Sequence, residues 1–272
     1  MQLEGKVVVV TGSTRGIGRA IAEACAREGA AVVIASRKEA AVAAAVASLQ
    51  EQGYRASGVA CDVARSCDLE GLLRHALETW GKVDAWVNNA GLSSGMRPIQ
   101  DLSPEEISRI VDVNVVGTML GCRLVIPYFL EHPGVLVNLS GKGGGGESSG
   151  FTAVYAATKA AVASLTKSLA AENRGRKISI HAAIPGMVAT DFFRDAKNSP
   201  SMAESIASLP YVLDAIGVPL EVVGRFFVPI VAQEPGRVTG KVYNALAGPR
   251  LLRGIAKLMW YRAQGKIPAS AR

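Results

Sequence analysis

The chain has few of the residues and runs that mark a metal-bound, disulfide-stapled or membrane-spanning protein. Among 272 residues there are four cysteines and three histidines. Cys25, Cys61, Cys67 and Cys122 form no CxxC pair, and the histidines show no metal-ligand spacing. Reduced, buried thiols are therefore expected, and no metal. No stretch reaches the roughly 18 uninterrupted apolar residues of a spanning helix. Linkers, low-complexity tracts and fixed-period repeats are missing, and the alanine-rich Ala40 to Ala47 reads as helix because alanine is the best helix former. Met1-Gln2-Leu3-Glu4-Gly5 leads straight into an apolar strand with no charged lead-in, so the expectation is a cytoplasmic protein without a secretory or transit leader.

Acidic charge is missing from the C-terminal stretch. Of 30 basic and 23 acidic residues, Arg250, Arg253, Lys257, Arg262, Lys266 and Arg272 fall in the last 23 positions with no acidic residue among them, so the first 249 residues carry 24 against 23. A near-neutral body with a basic tail, lacking any recognition helix, argues against a nucleic-acid partner. In the tail, Leu251, Leu252, Ile255, Leu258 and Met259 recur at helical spacing among the cations, beside Trp260 and Tyr261. Two readings follow: a helix in peripheral contact with an anionic membrane, or a helix packed over a substrate cleft or a neighbouring subunit, its arginines solvated.

What the chain does have is alternation. Short apolar strands are expected at Val7 to Val10, Ala31 to Ala35, Ala56 to Cys61, Val83 to Val87, Val135 to Leu139, Ile178 to Ala183 and Lys241 to Tyr243. Between them the spacing predicts helices over Ile17 to Glu28, Ala40 to Gln52, Leu69 to Trp80, Pro104 to Leu130 and Ala153 to Asn173. Strand and helix in alternation mean parallel pairing with right-handed crossovers: an α/β, Rossmann-like doubly wound sheet of seven strands with helices on both faces, in one domain over 1–248, followed by a basic extension over 249–272. Ligands bind such a sheet at the carboxyl ends of its strands.

The loop Thr11-Gly12-Ser13-Thr14-Arg15-Gly16-Ile17-Gly18 follows the first strand and opens a helix, the context that gives such a motif its meaning. Gly12 permits a tight turn, Gly16 and Gly18 allow close approach, and the helix amino terminus faces a pyrophosphate. The second strand ends Ala35-Ser36-Arg37-Lys38 with no carboxylate to hold a ribose diol. Arg37, with Arg15 on the same side, attracts a 2′-phosphate instead, so NADP(H) is the expected cofactor; the alternative is that Arg37 is a solvated surface charge. Far downstream, Tyr155 and Lys159 stand four apart and share a helix face. The ammonium can then sit beside the phenol and lower its pKa toward working pH. Asn114 stands in a strongly apolar helix, where a buried amide needs partners.

The TGxxxGxG spacing, with Asn88-Asn89-Ala90-Gly91, Asn114 and the Tyr155/Lys159 pair, resembles the short-chain dehydrogenase/reductase family over about residues 5 to 248. The resemblance implies hydride exchange between nicotinamide and a carbonyl carbon while Tyr155 donates a proton to the oxygen. It implies that Lys159 also bonds the nicotinamide ribose and that Asn114 holds a proton-relaying water. Asp62 and Val63 would contact adenine, and Asn89, Ala90 and Gly91 would hold the adenosine side and brace the sheet. Pro185, Gly186, Val188 and Thr190 would clasp the carboxamide, and 187–219 would build the substrate lid.

One family residue is missing. A serine usually stands 13 positions before the tyrosine, but that position is Lys142, and aligning on Asn138-Leu139-Ser140 gives Gly141. Ser140, Ser148, Ser149 and the charge of Lys142 are the candidate replacements. A glycine-rich segment there, with Phe151 to Lys159, His181 to Asp191, Glu221-Val222-Val223, Val228-Pro229-Ile230 and the basic tail, looks like the chlorophyll b reductase branch, which reduces a ring formyl group with NADPH. That implies a large apolar carbonyl substrate, which Met202, Leu209, Tyr211, Leu213, Phe192 and Phe193 would suit. A reductase or dehydrogenase of another carbonyl or alcohol is one alternative; an NADP-binding sensor without turnover is another. The helices holding Ile107, Val111, Met119, Val162, Leu165 and Leu169 are apolar over more than one face, and family members pair them, so a homodimer or homotetramer is expected.

Overall fold

A computed structural model describes residues 1–189 and 198–267. Its strands are β1 (Val7–Thr11), β2 (Ala31–Ser36), β3 (Ala56–Ala60), β4 (Ala85–Asn88), β5 (Gly134–Leu139), β6 (Ile178–Ile184) and β7 (Val242–Asn244). They form one seven-stranded sheet in the order β3-β2-β1-β4-β5-β6-β7, parallel at every pairing. The order reverses beside β1, so the crevice between the ends of β1 and β4 is the natural ligand site.

Alternation along β1 shows why its run of four valines suits a sheet covered on both sides. Val8 and Val10 pack with Ile21 and Phe227 on one face, while Val7 and Val9 join Trp86, Val125 and Phe129 on the other. The first face is covered by α1 (Gly16–Arg27), α2 (Glu39–Gln50) and, later in the chain, α8 (Leu220–Val231). The second is covered by α3 (Ser66–Trp80), α5 (Gly117–Glu131) and α6 (Ala153–Glu172). Helix α8 approaches α1 so closely that a β carbon on Gly224 would run into the Ala20 carbonyl oxygen.

The run expected as one helix from Pro104 to Leu130 is interrupted. It begins as α4 (Pro104–Val111), capped by the reciprocal Ser103 and Glu106 bonds, widens to a π-helical turn at Asp112–Val116 and continues as α5. By length and composition Pro104–Glu131 could also cross a membrane; in this fold it lies along the sheet with Ile110, Val113, Cys122, Val125 and Phe129 buried. Helix α7 (Ala203–Ile216) occupies the expected lid region, and α9 (Pro249–Ala263) forms the basic tail. Cys25, Cys61 and Cys122 are buried as expected, with burial pushing each thiol up to about 12; Cys67 is exposed instead.

Candidate active site

The site is built at the carboxyl end of the sheet, from the loops that follow the strands and from helices that pack beside them. The glycine loop between β1 and α1 turns through Gly12 at φ +64° and Gly16 at φ +58°. A β carbon on Gly12 would lie 2.8 Å from the Ala90 α carbon, and one on Gly18 would collide with the Asn89 amide and the Gly12 carbonyl. Asn89 braces the loop by donating from Nδ2 to the carbonyls of Thr11 (2.7 Å) and Gly12 (3.0 Å), while the Thr11 hydroxyl accepts from the Asn89 and Ala90 amides. Helix α1 has no acidic residue in its first turn and no side-chain cap. Its amino terminus is therefore left to an anion. These features fit a nicotinamide dinucleotide, whose pyrophosphate needs bare backbone and a positive helix end.

Most of the residues picked from the sequence meet in one cavity of about 1290 Å³. On its glycine-loop side are Gly12, Thr14, Arg15, Gly16, Ile17, Gly18, Ser36, Arg37, Asp62, Val63, Asn89, Ala90 and Gly91; on its other side are Ser140, Tyr155, Lys159, Pro185, Gly186 and Val188. Asn114, buried behind Leu92, does not line it, and neither does Ser13. The Ser13 side chain is fully buried, donating to the Val10 carbonyl at 2.6 Å and accepting from the Ala35 amide at 3.0 Å, so it ties β1 to β2. Thr190, Phe192 and Phe193 lie outside the described residues.

Asp62 is anchored rather than free to rotate. Burial alone would raise its pKa, but the Arg109 guanidinium at 2.7 Å, the Ala64 amide and nearby Arg37 hold the carboxyl below its usual range. Arg37 is exposed at the end of β2 and lines the cavity beside it.

On the other side, α6 is tied to the sheet by a buried polar chain that sequence reasoning missed. The Trp86 indole donates to Asn88 Oδ1 (2.8 Å), Asn88 Nδ2 to Asn138 Oδ1 (2.9 Å), and Asn138 Nδ2 to Thr166 Oγ1 (3.0 Å). The available signal was two asparagines at the ends of otherwise apolar strands. Asn114, in the π-helical turn, is almost fully buried; its Oδ1 accepts from the Leu92 amide at 2.7 Å, and its Nδ2 donates to the Leu92 carbonyl and to Thr158 Oγ1. A β carbon on Gly91 would sit 3.4 Å from Asn114 Oδ1 and 3.7 Å from Lys159 Nζ, so that glycine leaves open the space between the two.

Tyr155 and Lys159 share the buried face of α6, yet their electrostatics differ from the expected pairing. Lys159 Nζ lies 5.5 Å from the Tyr155 ring centre and donates to the Leu139 carbonyl at 3.0 Å. Burial pushes the phenol well above its usual range, and burial pulls the lysine down to about 8. In this conformation desolvation outweighs any lowering of the phenol by the ammonium, and the phenol keeps its proton.

The missing serine has a definite address. A β carbon on Gly141 would fall 2.9 Å from the Tyr155 phenol oxygen. Ser140 borders the cavity, but its hydroxyl donates to the Lys159 carbonyl at 3.1 Å, and Ser149 is buried against the Thr152 hydroxyl at 2.6 Å. The glycine run is held by Glu147, whose carboxylate accepts from the Gly143 and Gly145 amides. Those two amides hold the Glu147 carboxyl below its usual range, the Gly143 bond contributing most. Lys142 and Ser148 line the cavity.

Residues 6–200 match the sequence profile described as short chain dehydrogenase. The chain belongs to that family. A chloroplastic protein of Oryza sativa subsp. japonica, described as a probable chlorophyll(ide) b reductase, is 34% identical over 97% of this chain and 55% of its own length. Thus the chain spans about half of that relative. A 3β-hydroxysteroid dehydrogenase 1 of Eggerthella lenta is 40% identical over 75% of this chain and 76% of its own. Among solved structures, the 3-ketoacyl-(acyl-carrier-protein) reductase of Brucella melitensis, complexed with NADH, superposes with a TM-score of 0.76 at 31% identity, covering 89% of this chain and 97% of the other. A variant of actinorhodin polyketide ketoreductase with NADPH gives 0.78 at 28%, covering 90% and 96%. The short-chain dehydrogenase fold found here is thus that of an oxidoreductase acting on C=O and CH–OH groups with a nicotinamide dinucleotide.

Proposed function

We propose that this short-chain dehydrogenase is an NADPH-dependent reductase of a large apolar carbonyl compound, with the formyl group of chlorophyll b or chlorophyllide b, reduced to hydroxymethyl, as its substrate. The observation that carries the reading is the continuity of the cavity. At about 1290 Å³ it exceeds the roughly 300–1,000 Å³ of ordinary single-ligand sites, and it runs from the glycine loop past Tyr155 to an apolar roof formed by Met202, Leu209, Val212, Leu258 and Ile267. Likeness to the rice relative supports the choice of formyl substrate.

Bound NADPH would supply the hydride. The chain does the rest: the glycine loop and the α1 amino terminus hold pyrophosphate, while Arg37 and Arg15 favour a 2′-phosphate over a free ribose diol. Tyr155 gives its phenol proton to the substrate oxygen as that oxygen gains charge, and Asn114 and Lys159, on either side of the gap at Gly91, return a proton to it. Lys142 or Ser148 supplies the donor that residue 141 lacks. Incubating the protein with chlorophyllide b and NADPH, and reading the pigment spectrum, tests the substrate; an unchanged spectrum with NADPH still bound rules it out.

The Eggerthella lenta relative favours a second reading, reduction or oxidation at a ring carbon of a fused-ring alcohol or ketone. A panel of such compounds in the same assay separates the two. A non-catalytic sensor needs none of Tyr155, Lys159 and Asn114, and their convergence speaks against it. Val111, Val116 and Met119 stay exposed along α4, the π-helical turn and α5, which supports a homodimer or tetramer closing over that face.

A further inference from the structure

Helix α9 has one face that is fully used. Gly254 is buried against α7, where a β carbon would lie 2.7 Å from Ile216 Cγ2 and 2.9 Å from the Ala215 carbonyl. Lys257 pairs with Asp214 at 2.7 Å, and the Tyr261 hydroxyl bonds the same carboxylate. Lys266, just past the helix, lies 5.5 to 5.6 Å from the ring centres of Tyr211, Trp260 and Tyr261. From this side Leu258, Arg262 and Ile267 reach the cavity.

The opposite face is exposed among the described residues, with Trp260 at its edge meeting Lys266 and Tyr261. At about 100° per residue, Leu252, Ala256, Met259 and Ala263 fall on one stripe directly opposite Gly254, with Ile255 and Trp260 along its edges. Leu252 is 70% exposed, Met259 66%, Trp260 53% and Ile255 44%. A surface helix of a globular protein turns its polar side to water. Here the outward side is the apolar one.

The charge around the stripe points to what covers it. From 249 to 267 there are five basic residues, Arg250, Arg253, Lys257, Arg262 and Lys266, and no acidic one. Arg253 lies beside the stripe. Lys257, Lys266 and Arg262 are engaged by Asp214, the rings and the cavity, which leaves Arg250 and Arg253 as exposed cations at the amino-terminal end of the stripe. A second copy laid there would bring like charges together, whereas an anionic lipid surface matches both the apolar stripe and its basic end.

We propose that α9 is a docking helix that lies on an anionic bilayer, with Leu252, Ile255 and Met259 in the acyl boundary and Arg250 and Arg253 among the headgroups. Because the same helix walls the cavity, docking places the roof of the site at the lipid surface, where an apolar substrate is dissolved.

The test is co-sedimentation of the full chain with vesicles of phosphatidylcholine alone or mixed with phosphatidylglycerol, at low and moderate salt. Binding is expected to the anionic vesicles, weakened by salt. Leu252→Ser with Met259→Ser should reduce it about tenfold or more, and Arg250→Gln with Arg253→Gln about tenfold, with thermal midpoints unchanged. Equal binding to both vesicle types, no binding to anionic vesicles at low salt, or full binding by the double serine variant overturns the proposal. So does gel filtration in which that variant dissociates a larger species, since the stripe is then a contact between copies. The lipid readout is independent of turnover, so its failure leaves the reductase assay standing.

Discussion

Gly141 and Tyr155 are in contact range: a β carbon on the glycine falls 2.9 Å from the phenol oxygen. A side chain at 141 therefore meets the group that moves the proton, and the clash is with the tip of a ring that can turn. Gly141→Ser should fold and should restore a hydroxyl donor beside the reacting oxygen. With a small soluble aldehyde its kcat is expected to rise by up to about 100-fold, the worth of one such donor. Steady-state kinetics check this, and a kcat no higher than that of the parent would mean that Lys142 or Ser148 already fills the role.

Tyr155→Phe removes the proton and little else from a buried site. Folding and dinucleotide binding should survive, while turnover falls about 100- to 10,000-fold. Ser149→Ala should behave in the opposite way, because its hydroxyl is spent on Thr152. It is expected to lower stability by about 1 kcal/mol and to leave kcat within about twofold. Parallel melting curves and rates distinguish the two classes.

Arg37→Asp replaces a cation at the end of β2 with a carboxylate that repels phosphate. The Kd for NADPH should rise by about 10- to 100-fold while that for NADH changes little. Fluorescence titration with each nucleotide reads the difference, and equal weakening of both would remove Arg37 from the 2′-phosphate site.

Burial of the Lys159 ammonium opposes folding. Its pKa drops from 10.5 to about 8 because the ammonium is desolvated. A lysine depressed in this way binds fewer protons folded than unfolded between about pH 8 and 10.5, so its contribution to stability improves as pH rises through that window. Below pH 8 the penalty is fully present, at most roughly 3 to 4 kcal/mol by 1.36 kcal/mol per pK unit. The bond to the Leu139 carbonyl offsets part of it. Lys159→Met should melt higher than the parent at pH 7, lose that advantage toward pH 10.5, and be inactive. Denaturant titrations across pH test the sign.

The sheet was legible because a parallel strand buried on both faces is a short, unbroken apolar run, and Val7 to Val10 is one. The cavity's two sides were legible because glycines and the Tyr155/Lys159 pair act at fixed spacings. What escaped depended on side-chain direction or distant contact. Ser13 sits in the glycine motif, but the twist of the loop turns it into the sheet. Asn88, Asn138 and Thr166 are linked across 50 and 28 residues of chain. Helices α7 and α8 carry Pro210 and Pro229 in their interiors, and the residue that ordinarily ends a helix hid both. The π-helical turn breaks a run whose apolar spacing reads as continuous.

The glycine loop and the Tyr155/Lys159 pair draw on residues up to Val188, whereas the roof draws on 198–267 and closes through the Lys266 cage of rings and the Lys257–Asp214 pair. A ribosome delivers these parts in that order. The cradle also leans on α8, which packs against α1, so nucleotide is expected to stabilise the nascent chain only once 220–231 has emerged, and the latch that shuts the cavity is set last.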